Sequence, residues 1–393
     1  MATVTGPAAK IEQRLLARNA VAESFFAGES HRLAEKCREM SERFLLGGRL
    51  LAFGRGPYAT DAQHVAVEFV HPVIVGKRAL PALDLSASFS ASLSTLLEKN
   101  DMVLGLGPPE GDAEVWEALD QAHRRGAMTF ALPGAAGSYF ISAASPDPFI
   151  HQEIVETLYH TLWETVHVFF ERRQLGHDAG QSGFLYPFLG SGNNSDSTET
   201  VREVAQSIRM KAADDAQLRT RAAEEESGKI ASAALAICDR LSRGGKLLVF
   251  GNGGSATDAN DFTMDCTIPP PGLRPIPAIS LSADPANLSA IANDVGIELI
   301  FQRQLIALAG PHDIAIAIST SGGSKNIHVA LEEARKRGLL TIALLGYDGG
   351  EVLRRGLADF PLIVRSDYIP RIQEVQASIY HVLREQIDEA IHA

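Results

Sequence analysis

Cysteine is scarce in this sequence. The three present, Cys37, Cys238 and Cys266, are too few and too scattered for a disulfide framework or a cysteine-based zinc site, which fits a reducing cytoplasm. Long apolar runs are missing: no stretch approaches the roughly 18–20 residues of a membrane span, and the opening MATVTGPAAKIEQRL has no signal-peptide core. The expectation is a soluble chain without membrane partners. Positive charge is in deficit, with 36 Lys and Arg against 48 Asp and Glu and a formal net charge of −12. A broad electrostatic footprint for nucleic acid is excluded, while a single local anion pocket is not. There is no Walker-type GKS/T and no GxGxxG spacing, so neither a nucleotide triphosphatase nor a nucleotide cofactor is expected. What remains is an ordinary globular composition, 45% hydrophobic and 21% charged, over 393 residues. That length is enough for two domains.

The most informative feature is an internal duplication. Residues 47–62 read GGRLLAFGRGPYATDA and residues 244–259 read GGKLLVFGNGGSATDA, identical at 11 of 16 positions at an offset of 197. A second match at an offset of 212 pairs 100–132 with 312–344, and a third at 221 pairs HQEIVETLYH (151–160) with IQEVQASIYH (372–381). The offsets grow because the second copy carries extra loop residues, chiefly around TIPPPGLRPIP (267–277). Within each copy, short Leu-rich and β-branched runs (RLLAFG, DMVLGLG, MTFAL; KLLVFG, DIAIAIS, LTIALLG) alternate with helical stretches. That alternation predicts βαβ units and parallel sheets covered on both faces. Long amphipathic stretches, 8–46 and 197–243, precede each copy. The predicted organisation is a first domain over 1–173, a Gly/Ser/Asn-rich linker over 174–199, and a second domain over 200–393.

Two loops of the second copy carry chemistry. Ser319-Thr320-Ser321-Gly322-Gly323-Ser324 follows a buried strand and opens a helix, so glycines that let the backbone approach and hydroxyls that donate form an anion cradle. Taken alone, such a stretch also reads as a Ser-rich helix cap. Gly251-Asn252-Gly253-Gly254-Ser255 occupies an equivalent strand-to-helix junction.

These loops, with Asn293-Asp294-Val295-Gly296 and the late Arg371-Ile372-Gln373-Glu374 followed by His381, resemble the sugar isomerase (SIS) domain family, in its phosphoheptose isomerase branch. The resemblance covers nearly all of 200–393, and the first copy resembles a divergent member over about 8–172. It implies two tandem α/β domains, each a parallel-sheet αβα sandwich of flavodoxin or Rossmann type. It also implies aldose–ketose isomerisation of a phosphosugar, of the sedoheptulose 7-phosphate type, through an enediol. A phosphate anchor of Asn252, Gly253, Ser255, Ser319, Thr320, Ser321 and Ser324, with Gln373 and Asp284, follows from it. Asp284 before Pro285 is also an ordinary turn former.

In the family, a Glu and a His look like base and acid, and some members bind zinc through His, Glu, Gln and His. Carried over, the quartet falls on His64, Glu68, Gln152 and His160 in the first copy, with Glu68 and His160 as catalytic pair. In the second it falls on Asp261, Asp265, Gln373 and His381, a weaker metal set, with Asp265 and His381 as catalytic pair. The cradle behaves oppositely: the first copy has Gly107, Pro108, Pro109 and Asp112 there, with Glu110 beside them and Tyr58 and Arg55 for Ser255 and Asn252. Pro removes N–H donors and carboxylates repel phosphate. The family's Arg just past the Glu is absent, with Pro72 and Pro269 in its place. Three readings stay open: complementary copies in a homodimer of four SIS domains, a first copy that is only scaffold, and a loss of catalysis. The alternative to an enzyme is a regulatory SIS protein that binds a phosphosugar or another protein.

Overall fold

The computed structural model describes residues 6–74, 77–174 and 197–392. Most of the expected linker, residues 175–196, lies outside the described residues. The chain divides into two compact units. One holds Asn19–Ala216, and the other holds the residues up to Arg18 together with those from Gln217 onward.

The first copy begins with helix α1 (Pro7–Leu45) and continues through β1 (Leu50–Phe53), α2 (Tyr58–Val70), β2 (Ala82–Asp84), α3 (Phe89–Leu96), β3 (Met102–Leu106), α4 (Ala113–Arg124), β4 (Met128–Leu132), β5 (Tyr139–Phe140) and α5 (Pro148–Gln174). The second begins with α6 (Ser197–Ser242) and runs through β6 (Leu247–Gly251), α7 (Gly254–Thr267), β7 (Ala278–Ser280), α8 (Pro285–Asp294), α9 (Ile300–Leu308), β8 (Ile314–Ser319), α10 (Lys325–Lys336), β9 (Leu340–Gly346), α11 (Gly350–Arg354), β10 (Phe360–Val364) and α12 (Ile369–His392). The two long amphipathic stretches are thus single helices. Each stops before a glycine with positive φ, Gly47 (+83°) and Gly244 (+82°), a backbone state that side chains with a Cβ rarely adopt.

Each copy builds a five-stranded, all-parallel sheet, ordered β2-β1-β3-β4-β5 in the first and β10-β9-β8-β6-β7 in the second. Read from the other edge, the second order is the first repeated. The central strands β3, β4, β6, β8 and β9 are buried along their whole length, as strands covered on both faces must be. The expected αβα sandwiches are therefore present, and the apolar runs read from the sequence coincide with the strands.

The duplication reaches individual bonds. In the first copy Asp101 accepts from the Arg49 backbone N–H at 2.9 Å and from its guanidinium at 2.7 Å. In the second Asp313 accepts from the Lys246 N–H at 3.0 Å and its ammonium at 2.6 Å.

Both long helices change unit along their length. Ile11 and Leu15 of α1 are buried in the core formed with Leu247, Ile316 and Leu383 of the second copy. Val201, Val204 and Ile208 of α6 are buried in the core formed with Leu104, Phe130 and Trp163 of the first. Among the described residues no helix is long and apolar enough to cross a membrane.

Candidate active site

In both sheets the chain reverses strand order between adjacent strands, β1 and β3 in one, β6 and β8 in the other. Such switch points open a crevice at the carboxyl ends of the strands, where α/β folds bind ligands. The two motif loops of the second copy follow β6 and β8, so the topology brings them side by side. Asn252 and Asn326 fasten them with a reciprocal amide pair, Asn252 Nδ2 to Asn326 Oδ1 at 3.0 Å and Asn326 Nδ2 to Asn252 Oδ1 at 2.8 Å.

The cradle is built from its own hydroxyls. Ser319 Oγ accepts from the Gly322 N–H at 3.1 Å, and Ser321 Oγ accepts from the Gly323 N–H at 3.2 Å. Each hydroxyl that accepts in this way keeps its own O–H to donate outward. Gly322 has φ +57°, and a Cβ there would stand 2.4 Å from the Gly349 carbonyl oxygen. The tight fold of the loop therefore requires glycine. Ser324 occupies the N-cap position of α10 without a side-chain cap bond, Thr320 is half-buried, and Ser255 is buried in the first turn of α7 behind Gly253 (φ +57°). Asp284 is exposed and serves as N-cap of α8, accepting from the N–H groups of Ala286 (2.9 Å) and Asn287 (3.2 Å).

Farther along α7, Asp261 and Asp265 lie one turn apart and face α12. His381 Nε2 stands 3.2 Å from Asp265 Oδ2 and 3.6 Å from Asp261 Oδ2, and Tyr380 donates to Asp261 Oδ2 at 2.8 Å. Burial and the neighbouring Asp261 push the Asp265 carboxyl up to about 7, against the opposing pull of His381 and Arg384. Gln373 is buried on the same helix. Ser255 and Asp265 are ten residues apart, roughly 15 Å along a helix axis. The cradle and the carboxylate–imidazole pair therefore sit at opposite ends of α7.

The first copy repeats the cluster between α2 and α5 with different chemistry. His160 Nε2 lies 3.4 Å from His64 Nε2, and Glu68 Oε1 lies 3.7 Å from His64 Nε2. Tyr159, bonded to Asp61 Oδ1 at 3.3 Å, also meets His64 Nδ1 at 3.2 Å, which turns the Nε2 of His64 toward His160. Gln152 donates instead to Asp61 Oδ2 at 3.0 Å. The carboxylate that joins the two histidines is Glu156: donor atoms of His64, Glu156 and His160 all lie within 4.8 Å of one another. Sequence reasoning missed it, although Gln152, Glu156 and His160 recur every four residues on one face of α5. This donor set suits a divalent cation such as zinc, and the buried Glu68 Oε2, which lacks a hydrogen-bond partner, is a further available ligand atom. Asp261, Asp265 and His381 form the corresponding group in the second copy.

The loop after β3 makes contacts of a different kind. Asp112 is spent as N-cap of α4, accepting from Glu114 N–H (2.9 Å) and Val115 N–H (3.2 Å). Arg55 NH1 pairs with Asp112 at 3.2 Å and with Glu114 at 2.7 Å. His151 Nε2 meets the Gly107 carbonyl at 3.2 Å while its Nδ1 accepts from the Ala144 N–H, and burial lowers this imidazole to about 4.

The SIS domain profile matches residues 212–346. A phosphoheptose isomerase of Trichlorobacter lovleyi is 44% identical over 171 residues, 42% of this chain and 85% of that protein. One of Citrifermentans bemidjiense is 44% identical over 172 residues, 42% of this chain and 86% of that protein. The chain belongs to the SIS-domain family, in its phosphoheptose isomerase branch. Membership makes it an isomerase-type enzyme. The fold likeness extends over both copies: the C-terminal domain of a glucosamine-fructose-6-phosphate aminotransferase from Francisella tularensis superposes with a TM-score of 0.58 at 10% identity, covering 97% of this chain and 96% of that one.

Proposed function

We propose that this SIS protein is a cytoplasmic phosphosugar aldose–ketose isomerase that converts sedoheptulose 7-phosphate to D-glycero-D-manno-heptose 7-phosphate. The observation that carries the reading is the buried Asp265–His381 pair at 3.2 Å, one helix away from a Ser/Thr/Gly cradle in the same unit. A carboxyl held near neutrality suits proton transfer, because a general base works best with a pKa close to the operating pH.

In the proposed reaction the cradle residues Ser255, Ser319, Thr320, Ser321 and Ser324 anchor the phosphate and fix the chain of the sugar. The carboxylate, Asp265 or Glu68, removes the proton from C1 of the ketose. The imidazole, His381 or His160, protonates the carbonyl oxygen at C2 to give the enediol. Returning the carbon-bound proton to C2, with loss of the O1 proton, yields the aldose. The separation of cradle and pair along α7 favours a long-chain phosphosugar over a triose. A divalent cation, where bound, would polarise the carbonyl oxygen. We further propose that the chain works as a homodimer of four SIS domains.

A coupled assay with sedoheptulose 7-phosphate, with and without added zinc, tests the reading. Turnover abolished by Ser319→Ala/Ser321→Ala supports it. A wild-type protein that binds the sugar phosphate and turns over none of it would instead establish the regulatory alternative. Glu68→Gln and Asp265→Asn, assayed separately, assign the base to one copy.

A further inference from the structure

Between β4 and β5 the first copy lacks a piece that the second copy has. The offset between the copies rises there from 212 to 221, because ALPGAAG (131–137) matches ALLGYDG (343–349) and the second copy then inserts nine residues, GEVLRRGLA (350–358). Hydrogen bonds fix both ends of the insertion. Thr129 N–H donates to Ser138 Oγ at 3.1 Å and Ser138 N–H donates to Thr129 Oγ1 at 3.2 Å. Across the insertion, Thr341 N–H donates to Asp359 Oδ2 at 2.9 Å and Asp359 N–H donates to Thr341 Oγ1 at 3.0 Å. The strand register agrees, with Tyr139 beside Phe130 and Phe360 beside Ile342. The inserted residues are α11 and the turn that follows it.

In the second copy this segment is a cover. Val352 and Leu357 are buried in the core that holds Leu331, Ala343 and Leu345, and Arg355 pairs with Glu332 on α10. At the offset of 212 the covered residues correspond to Leu119, Ala131 and Pro133, and Glu332 corresponds to Asp120. With the cover missing, all four line a cavity of about 520 Å³ between α4 and the β4–β5 edge. That volume lies within the range of binding pockets.

The cavity has its own anchors. Trp116 also lines it, 42% exposed, with the indole held in place by a bond from its Nε1 to the Pro133 carbonyl at 2.8 Å. A fixed, half-exposed indole beside aliphatic walls is the kind of group on which binding energy concentrates. The charged lining is acidic, Glu110 and Asp120, with His123 as the remaining titratable group. Where Glu332 meets Arg355, Asp120 turns to Arg124 of its own helix at 2.6 Å, an exposed pair that is cheaply exchanged. Apolar walls, an indole face and two carboxylates favour an occupant that combines aliphatic side chains with a guanidinium.

We propose that this groove docks a short helical segment of a partner protein, with branched aliphatic side chains on one face and an arginine beside them. It would lie where α11, Arg355 and Leu357 lie in the second copy, the helix-in-groove mode of recognition. The groove uses none of the residues assigned to the isomerase reaction, so either reading can fail while the other stands.

The test uses the full-length protein and a fluorescein-labelled synthetic peptide with the sequence of Gly349–Asp359. Of the two tryptophans, Trp163 is fully buried, so a change in tryptophan emission reports on Trp116. Saturable binding by anisotropy is expected, and the unlabelled peptide should shift the emission to the blue. Leu357→Asp in the peptide, or Trp116→Ala in the protein, should weaken binding about tenfold or more. Asp120→Arg, at an exposed position, should weaken it severalfold, and Arg355→Glu in the peptide should restore it. No binding up to about 1 mM peptide, or equal affinity for the Leu357→Asp peptide, overturns the proposal. Uptake of a small apolar dye without binding of the peptide would make the groove a small-molecule site, and a change of oligomeric state in Asp120→Arg would assign it to a second copy of the chain. Either result also overturns it.

Discussion

Arg55 NH1 lies 2.7 Å from Glu114 Oε1, at the two positions where the second copy joins Asn252 to Asn326. The same pair of loops is fastened in both copies, by an ion pair in one and by two amides in the other. Only the amides leave the crevice free of a carboxylate that would repel phosphate. Grafting the ion pair, as Asn252→Arg/Asn326→Glu, should lower phosphosugar affinity at least tenfold, the scale of one lost hydrogen bond to a charged group. The graft should cost about 1–3 kcal/mol of stability, because it removes the reciprocal amide pair and puts a carboxylate at the buried Asn326 position. Titration calorimetry and thermal unfolding check both.

Gly322→Ala should abolish binding through the backbone. Its φ of +57° and the 2.4 Å approach of a Cβ to the Gly349 oxygen mean that the loop itself must move. The expected stability loss is about 1–3 kcal/mol, the usual range for overpacking and strained φ. Retained affinity in this variant would show that the cradle is not the phosphate anchor.

Asp265 predicts a pH dependence in the second copy. Its carboxyl is raised from 3.8 to about 7 by burial and by Asp261. Between those values the folded state holds a proton that the unfolded state has released, so this group's contribution is fully present below about pH 3.8 and is lost as pH rises through 7. The unfolding midpoint of wild type, compared with Asp265→Asn, should therefore fall more steeply from pH 4 to 7.

His151 predicts the opposite slope in the first copy. Burial lowers its imidazole from 6.5 to about 4, so the unfolded chain takes up a proton first. Its contribution is present above pH 6.5 and is lost as pH falls toward 4. Replacing it by Gln should flatten that limb. Hydrogen exchange along α5 at pH 7 and pH 5 would localise the effect.

The strands and the loop positions were legible because each copy keeps its apolar runs and its Gly-rich junctions at matching spacing. His64, Glu68 and His160 were legible through the family resemblance, and the structure places His64 3.4 Å from His160 and 3.7 Å from Glu68. Glu156 was hidden because the resemblance pointed to Gln152 and His160 on the same helix face and not to the residue between them. Arg384 was hidden because an arginine on an amphipathic helix reads as solvent-facing, and only tertiary packing shows it fully buried. Asp61, in the first turn of α2, accepts hydrogen bonds from Gln152 and Tyr159 beneath the cluster, a pairing that only the packing of α2 against α5 brings about.

The helices that cross between units give the duplication a history that cannot be run backward. A gene cut between residues 174 and 199 would yield a leading half without Val201, Val204 and Ile208, and a trailing half without Ile11 and Leu15. Neither product would be an ancestral single-domain protein. Each would expose a hydrophobic seam that the other half once sealed, and co-expression rather than separate expression should be needed to recover soluble material. Fusion has thus become an obligation of folding, independent of any advantage to catalysis.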